Sequence, residues 1–218
     1  SGSLPPSDDF MHRILDAFNS FDGPLIYTPG DNEWTDVHRE NNGRQDPLVW
    51  LAKVRALYFA EERSLGRAPI PLTSQRTLPR YAKFVENVRW SVGGVVFATI
   101  HMVGSSNNLQ PEVPGAVEEF TERQAANIAW MKAAFAAARK DKAPGIAFFF
   151  QADAFYQDYA KSGRHEGFKD FLDALEEQCL FFQKPVLLVH ADEHRFRLDA
   201  GHRFDRSAAP VPNVTRVE

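Results

Sequence analysis

Two rhythms of apolar positions run along this chain. Phe10, Ile14, Leu15 and Phe18 recur at helical spacing. Ser7 precedes them as the expected N-cap, with Asp8 and Asp9 in a first turn that favours acids. Residues 25–28 form a short apolar run predicted as a strand, which leads into Pro29-Gly30-Asp31-Asn32-Glu33-Trp34. Asp46-Pro47 opens a second helix carrying Leu48, Leu51, Val54 and Leu57, to about residue 62. Residues 64–83 are rich in Pro, Arg, Ser and Thr and read as a surface connection. Residues 87–92 and 95–100 read as a hairpin around Gly93-Gly94.

A long Ala-rich helix is predicted over 118–141, stopped by Pro144-Gly145. The apolar run Ile146-Ala147-Phe148-Phe149-Phe150 follows, then a helix over 166–182, then the run Pro185-Val186-Leu187-Leu188-Val189. Short strands are expected at 195–199 and 212–217. Two of these strands are apolar without alternation, as in sheets covered on both faces. The pattern predicts one α/β domain over 1–218, with no repeat and no linker.

Polar residues cluster just past four predicted strand ends, where ligands bind in α/β sheets. The groups are Asp31, Asn32 and Glu33; His101, Asn107 and Asn108; Gln151 and Asp153; His190, Asp192 and His194. In an extended segment the last three would share one side, a plausible edge for zinc, manganese or iron. Each group also has a plainer reading. Asp31 and Asn32 fit an Asx turn. Gly104-Ser105-Ser106-Asn107-Asn108 is either an ordinary loop or an anion cradle. His101 is either a packed histidine or a proton carrier, and Asp153 either a ligand or a cap.

Composition narrows the field modestly. The 218 residues are 44% hydrophobic and 25% charged, with net charge -4, so no strong basic field for nucleic acid is expected. The 18 phenylalanines speak for a thick packed core. Cys179, the one cysteine, excludes an internal disulfide and a Cys-rich zinc site, and it reads as a small buried hydrophobe. No run approaches the ~20 apolar residues of a membrane span.

The order of motifs, from Gly30-Asp31-Asn32-Glu33-Trp34 through His101-Met102-Val103-Gly104-Ser105-Ser106-Asn107-Asn108 to Leu188-Val189-His190-Ala191-Asp192-Glu193-His194, resembles one branch of the calcineurin-like metallophosphoesterases. The resemblance implies a layered α/β/β/α sandwich and a phosphoester hydrolase acting on a phosphorylated substrate or small phosphoester. It implies two divalent ions (manganese, iron or zinc) in the full-length form. On that pattern Asp31, Asp153, His190, Asp192 and His194 are the metal-ligand candidates. Asn32 and His101 are the catalytic candidates, and Glu33, Asn107 and Asn108 the substrate-binding ones. Asn32 stands where the family carries a histidine, and an amide cannot act as a general acid. The Asp-x-His and Gly-Asp blocks that open the family pattern do not occur before Thr28. The expectation is therefore a sandwich missing its first strands, with one or no ion and little activity in these 218 residues alone. The alternative is a binding or scaffold domain that keeps the fold without the catalysis.

Overall fold

A computed structural model describes residues 6–155, 166–204, 206 and 209–218. Helix α1 spans Asp8–Asn19, and the Ser7 hydroxyl accepts from the Phe10 amide at 3.2 Å. Helix α2 spans Pro47–Tyr58, capped by the Asp46 carboxylate on the Leu48 amide at 2.8 Å. Each cap satisfies an amide that the first helical turn leaves unpaired. Helices α3 (Ala116–Lys140) and α4 (Glu166–Phe182) lie where the apolar periodicity puts them.

One seven-stranded sheet is described: β1 (Thr73–Ser74), β2 (Val88–Val92), β3 (Val95–Thr99), β4 (Ile146–Phe149), β5 (Val186–Val189), β6 (Leu198–Ala200) and β7 (Val214–Val217), in the order β1-β2-β3-β4-β5-β7-β6. Strands β3, β4, β5 and β7 run parallel; β1, β2 and β6 add antiparallel margins. The β2–β3 hairpin closes through Gly93 and Gly94, both at positive φ, as a tight two-residue turn demands.

Residues 25–28 do not form the predicted strand. Among the described residues only Leu25 finds a backbone partner, Leu65, in an isolated bridge. A strand needs a neighbour for its amides and carbonyls, and here packing holds the segment instead. The Tyr27 ring lies against Phe18, Tyr58 and Phe59. The 64–83 connection carries β1 and two short 3-10 turns.

The two faces of the sheet differ. Val96, Ala98, Ile146, Phe148, Val186, Leu188 and Val214 point into a core with Trp130, Phe135, Phe168, Phe171 and Leu175 of α3 and α4. On the other face Phe97, Phe149, Leu187, Val189 and Val217 are half-buried, and Trp90, Phe97 and Phe149 stack ring on ring. The expectation of a sheet deeply covered on both sides thus holds for one face among the described residues. A second cluster joins α1, α2 and Trp34 to Val103, just beyond β3. It carries the 30–38 loop to the strand ends.

Candidate functional site

The strand-end loops are laced by backbone bonds. The Gln151 and Ala152 amides both donate to the Met102 carbonyl at 3.1 Å, and the Ala191 amide donates to the Gln151 carbonyl at 3.1 Å. Asp31 is held by its own carbonyl, which accepts from the Trp34 and Asp36 amides and from the Thr35 hydroxyl at 2.9 Å. These bonds bring together residues remote in sequence. The Gln151 side-chain amide donates to Asp192 Oδ1 at 2.8 Å and to Asp31 Oδ1 at 3.3 Å. Its oxygen accepts from the Gly104 amide at 2.7 Å. Gly104 lies beside both carboxylates: a Cβ there would collide with Asp31 and stand 2.8 Å from Asp192 Oδ2.

Two acids so placed resist ionisation. Burial raises the Asp192 pKa from 3.8 to about 6, and the neighbouring Asp31 charge adds to it. Burial also raises Asp31, with Asp36 reinforcing the shift and Arg39 opposing it. The Glu33 carboxyl is raised by burial too, and it accepts from the Gly30 amide at 2.8 Å. The Gln151 amide hydrogens occupy the ground between the acids for which a cation would compete. The ligand atoms on offer are carboxylate oxygens, suited to a hard ion such as Mg²⁺ or Mn²⁺.

The loop after β3 turns in an unusual hand. Ser105, Ser106, Asn107 and Asn108 all have positive φ, between 52° and 64°. A left-handed turn of L-residues costs roughly 1–2 kcal/mol per residue, so its surroundings must hold it. Arg123 donates to the Asn107 side-chain oxygen at 2.5 Å and to its carbonyl at 2.8 Å. The Asn107 amide donates to the Gly167 carbonyl at 3.0 Å, and the Asn108 amide to Glu119 at 2.9 Å. Both asparagines are fully buried. They brace the turn and do not face a substrate, contrary to the expectation for Asn107 and Asn108. Ser105 faces outward from the turn. Its hydroxyl donates to Asp36 Oδ1 at 2.6 Å and accepts from Arg39 at 2.8 Å.

His101 is corrected from catalytic candidate to support. It is fully buried, and both ring nitrogens are spent. Trp34 Nε1 can only donate, so His101 Nε2, at 3.1 Å, carries the lone pair. The proton is then on Nδ1, 2.7 Å from Glu86. Burial lowers the His101 pKa, so the ring is held neutral. Asn32 is exposed and Glu33 half-buried at the same loop.

The His190-Asp192-His194 trio does not share a side. Asp192 and His194 take positive φ, 93° and 56°, which breaks the extended run. Asp192 turns to the Asp31 pair and His194 is exposed. His190 is buried against Phe150 and approaches Asp153 at 3.8 Å. Together Asp153, His190 and Glu218 offer ligand atoms within 4.8 Å of one another, a group that could hold a metal ion. Arg197 lies 3.0 Å from Asp153 and 3.1 Å from Glu218, and Arg216 lies 3.5 Å from Asp153, while His190 Nε2 and both Glu218 carboxylate oxygens are buried with no hydrogen-bond partner among the described residues. The two strand-end loops therefore deal their residues alternately. Gln151 and Asp192 go to one cluster, Asp153 and His190 to the other.

Sequence reasoning missed Asp36, Arg39 and Glu218 as parts of these clusters, and it read Gly104 and Ser105 only as part of an ordinary loop or an anion cradle. Asp36 and Arg39 follow the Asp31 motif at short spacing, which was the available signal; nothing local marks Glu218. A cavity of about 390 Å³ lined by Leu15, Leu57, Tyr58 and Arg63 contains none of the predicted site residues. No helix among the described residues is long and apolar enough to cross a membrane. Comparison of the chain with protein-family models, with curated proteins and with solved structures finds no match.

Proposed function

We propose that this chain is a metal-dependent phosphoester hydrolase of the calcineurin-like type, with Asp31 and Asp192 as the carboxylates that hold its cation. The observation that carries the reading is the meeting of these two acids at Gly104, with the Gln151 amide shared between them. Both are among the five ligand candidates that the resemblance names. In the same reading the seven-stranded sheet is one layer of an α/β/β/α sandwich, and its half-buried aromatic face is where a second sheet would pack.

Bound between the acids, the cation would supply Lewis-acid stabilisation of charge developing on a phosphoryl group. The protein's own share is positioning. Gln151 orients Asp192, Glu33 fixes the Gly30 amide, and Gly104 leaves room that any side chain would fill. The Asp153, His190 and Glu218 group is a second cation seat, and there two arginines compete for its acids.

A second reading is a domain that binds a phosphoester without turning it over. It is favoured by the loss of proton carriers: the His101 ring is committed to Trp34 and Glu86, and Asn32 is an amide. One set of measurements separates the two. Mn²⁺ titration should show binding that Asp31→Asn and Asp192→Asn abolish. Manganese-dependent cleavage of an aryl phosphate then supports the hydrolase, and binding without cleavage supports the second reading. Absence of Mn²⁺ binding to the unmodified chain would sink the hydrolase reading.

A further inference from the structure

We infer that Arg39 is the oxyanion seat of this site, the group that takes the phosphate of a phosphomonoester beside the Asp31–Asp192 pair. The inference rests on the cation reading above and adds the recognition of the substrate's charge. Arg39 is half-exposed, yet it is not a free surface arginine. One terminal nitrogen lies 2.6 Å from Asp36 Oδ2, and the other donates to Ser105 Oγ at 2.8 Å. Asp36 is buried, 3% exposed, and its second oxygen accepts from the same Ser105 hydroxyl at 2.6 Å. The ring of contacts Arg39–Asp36–Ser105 fixes the plane of the guanidinium. Its remaining N–H donors have no partner among the described residues.

The place of this ring argues for a ligand. Ser105 directly follows Gly104, which lies against both carboxylates. Asp36 is tied by its amide to the Asp31 carbonyl at 3.1 Å. The guanidinium is thus coupled to the carboxylate pair by two paths, through Asp36 on one side and through Ser105 and Gly104 on the other. It also rests on a strained left-handed turn, and such strain concentrates where a binding geometry must be held. A pre-set planar fork beside a cation-attracting pair is complementary to a doubly charged tetrahedral oxyanion, which needs a cation on one side and bidentate donors on the other.

Inorganic phosphate is the probe. Calorimetric titration of the whole chain is run with and without Mn²⁺, against sodium chloride at matched ionic strength. Arg39→Lys is the main variant, because it keeps a positive charge for buried Asp36 while giving up the fork. The expected result is phosphate binding by the unmodified chain, weakened about ten-fold or more by Arg39→Lys and several-fold by Ser105→Ala, with Mn²⁺ affinity unchanged. Melting curves of both variants confirm that each is folded under the assay conditions. Equal phosphate affinity in Arg39→Lys overturns the inference, as does a response no larger than that to chloride. Phosphate binding that depends on Arg39 in a chain that takes up no Mn²⁺ overturns the cation reading and leaves this one standing.

Discussion

Asp31 and Asp192 share one hydrogen-bond donor, the side-chain amide of Gln151, at 3.3 and 2.8 Å. Burial raises the Asp192 pKa to about 6, and the charge of Asp31, which a neutral amide relieves only partly, adds to that conflict.

The conflict has a sign. A carboxyl with a folded pKa above its ordinary 3.8 favours the folded state while protonated. Its stabilisation is complete below 3.8 and is lost as the pH rises to about 6. Asp192→Asn should therefore raise the melting temperature at pH 7.5 and leave it nearly unchanged at pH 3.5. Added Mn²⁺ should stabilise the unmodified chain at pH 7.5 and not this variant. A variant less stable than the parent at pH 7.5 without metal would show that the Asp192 charge is already compensated.

Glu86 works in the opposite direction. Burial alone would raise its pKa, but Arg55 at 2.6 Å and the His101 ring outweigh it and hold it well below 4.5. Its contribution is present above about pH 4.5 and fades on further acidification. Removing its neutral partner by His101→Ala leaves the buried Trp34 Nε1 donor unpaired, at a cost of roughly 1–3 kcal/mol, and takes one donor from Glu86, which keeps Arg55. Urea unfolding should show that loss of stability. Mn²⁺ binding to the folded fraction should persist, which a histidine serving as ligand would not allow.

Gly167 offers a test in which a usual rule reverses. It lies in the first turn of α4, where Ala normally stabilises a helix by about 1 kcal/mol over Gly. Here a Cβ would collide with the Ser106 carbonyl of the left-handed turn. Gly167→Ala should destabilise the protein and weaken phosphate binding with it, because the turn also carries Ser105. Gly104→Ala should abolish Mn²⁺ binding by filling the space beside both acids. Wild-type melting and binding in either variant would show that the turn yields freely.

The parts legible in the sequence were those decided locally. Gly93-Gly94 specified its hairpin, the runs before Phe150 and His190 gave parallel strands, and the strand-end rule placed Gln151 and Asp192 among its candidates, while Asp31 was reached through a strand at 25–28 that does not form. What stayed hidden depended on partners far along the chain. His101 is defined by Trp34 and Glu86, neither of which local spacing reveals. Residues 25–28 have strand composition but, among the described residues, no neighbour to pair with beyond Leu65. The left-handed hand of Ser105 and Ser106 is invisible because serine does not favour it; Arg123 and Gly167, outside the loop, make it tenable. Dealing His190 and Asp192 to different clusters follows from one backbone dihedral at Asp192.

The half-buried sheet face carries its own optical label. Trp34, Trp50 and Trp130 are at most 4% exposed, while Trp90 sits partly open on Phe97. Acrylamide should therefore quench the chain's fluorescence chiefly through one indole. A blue shift and loss of quenching would announce anything that comes to cover that face, with no probe added to the protein.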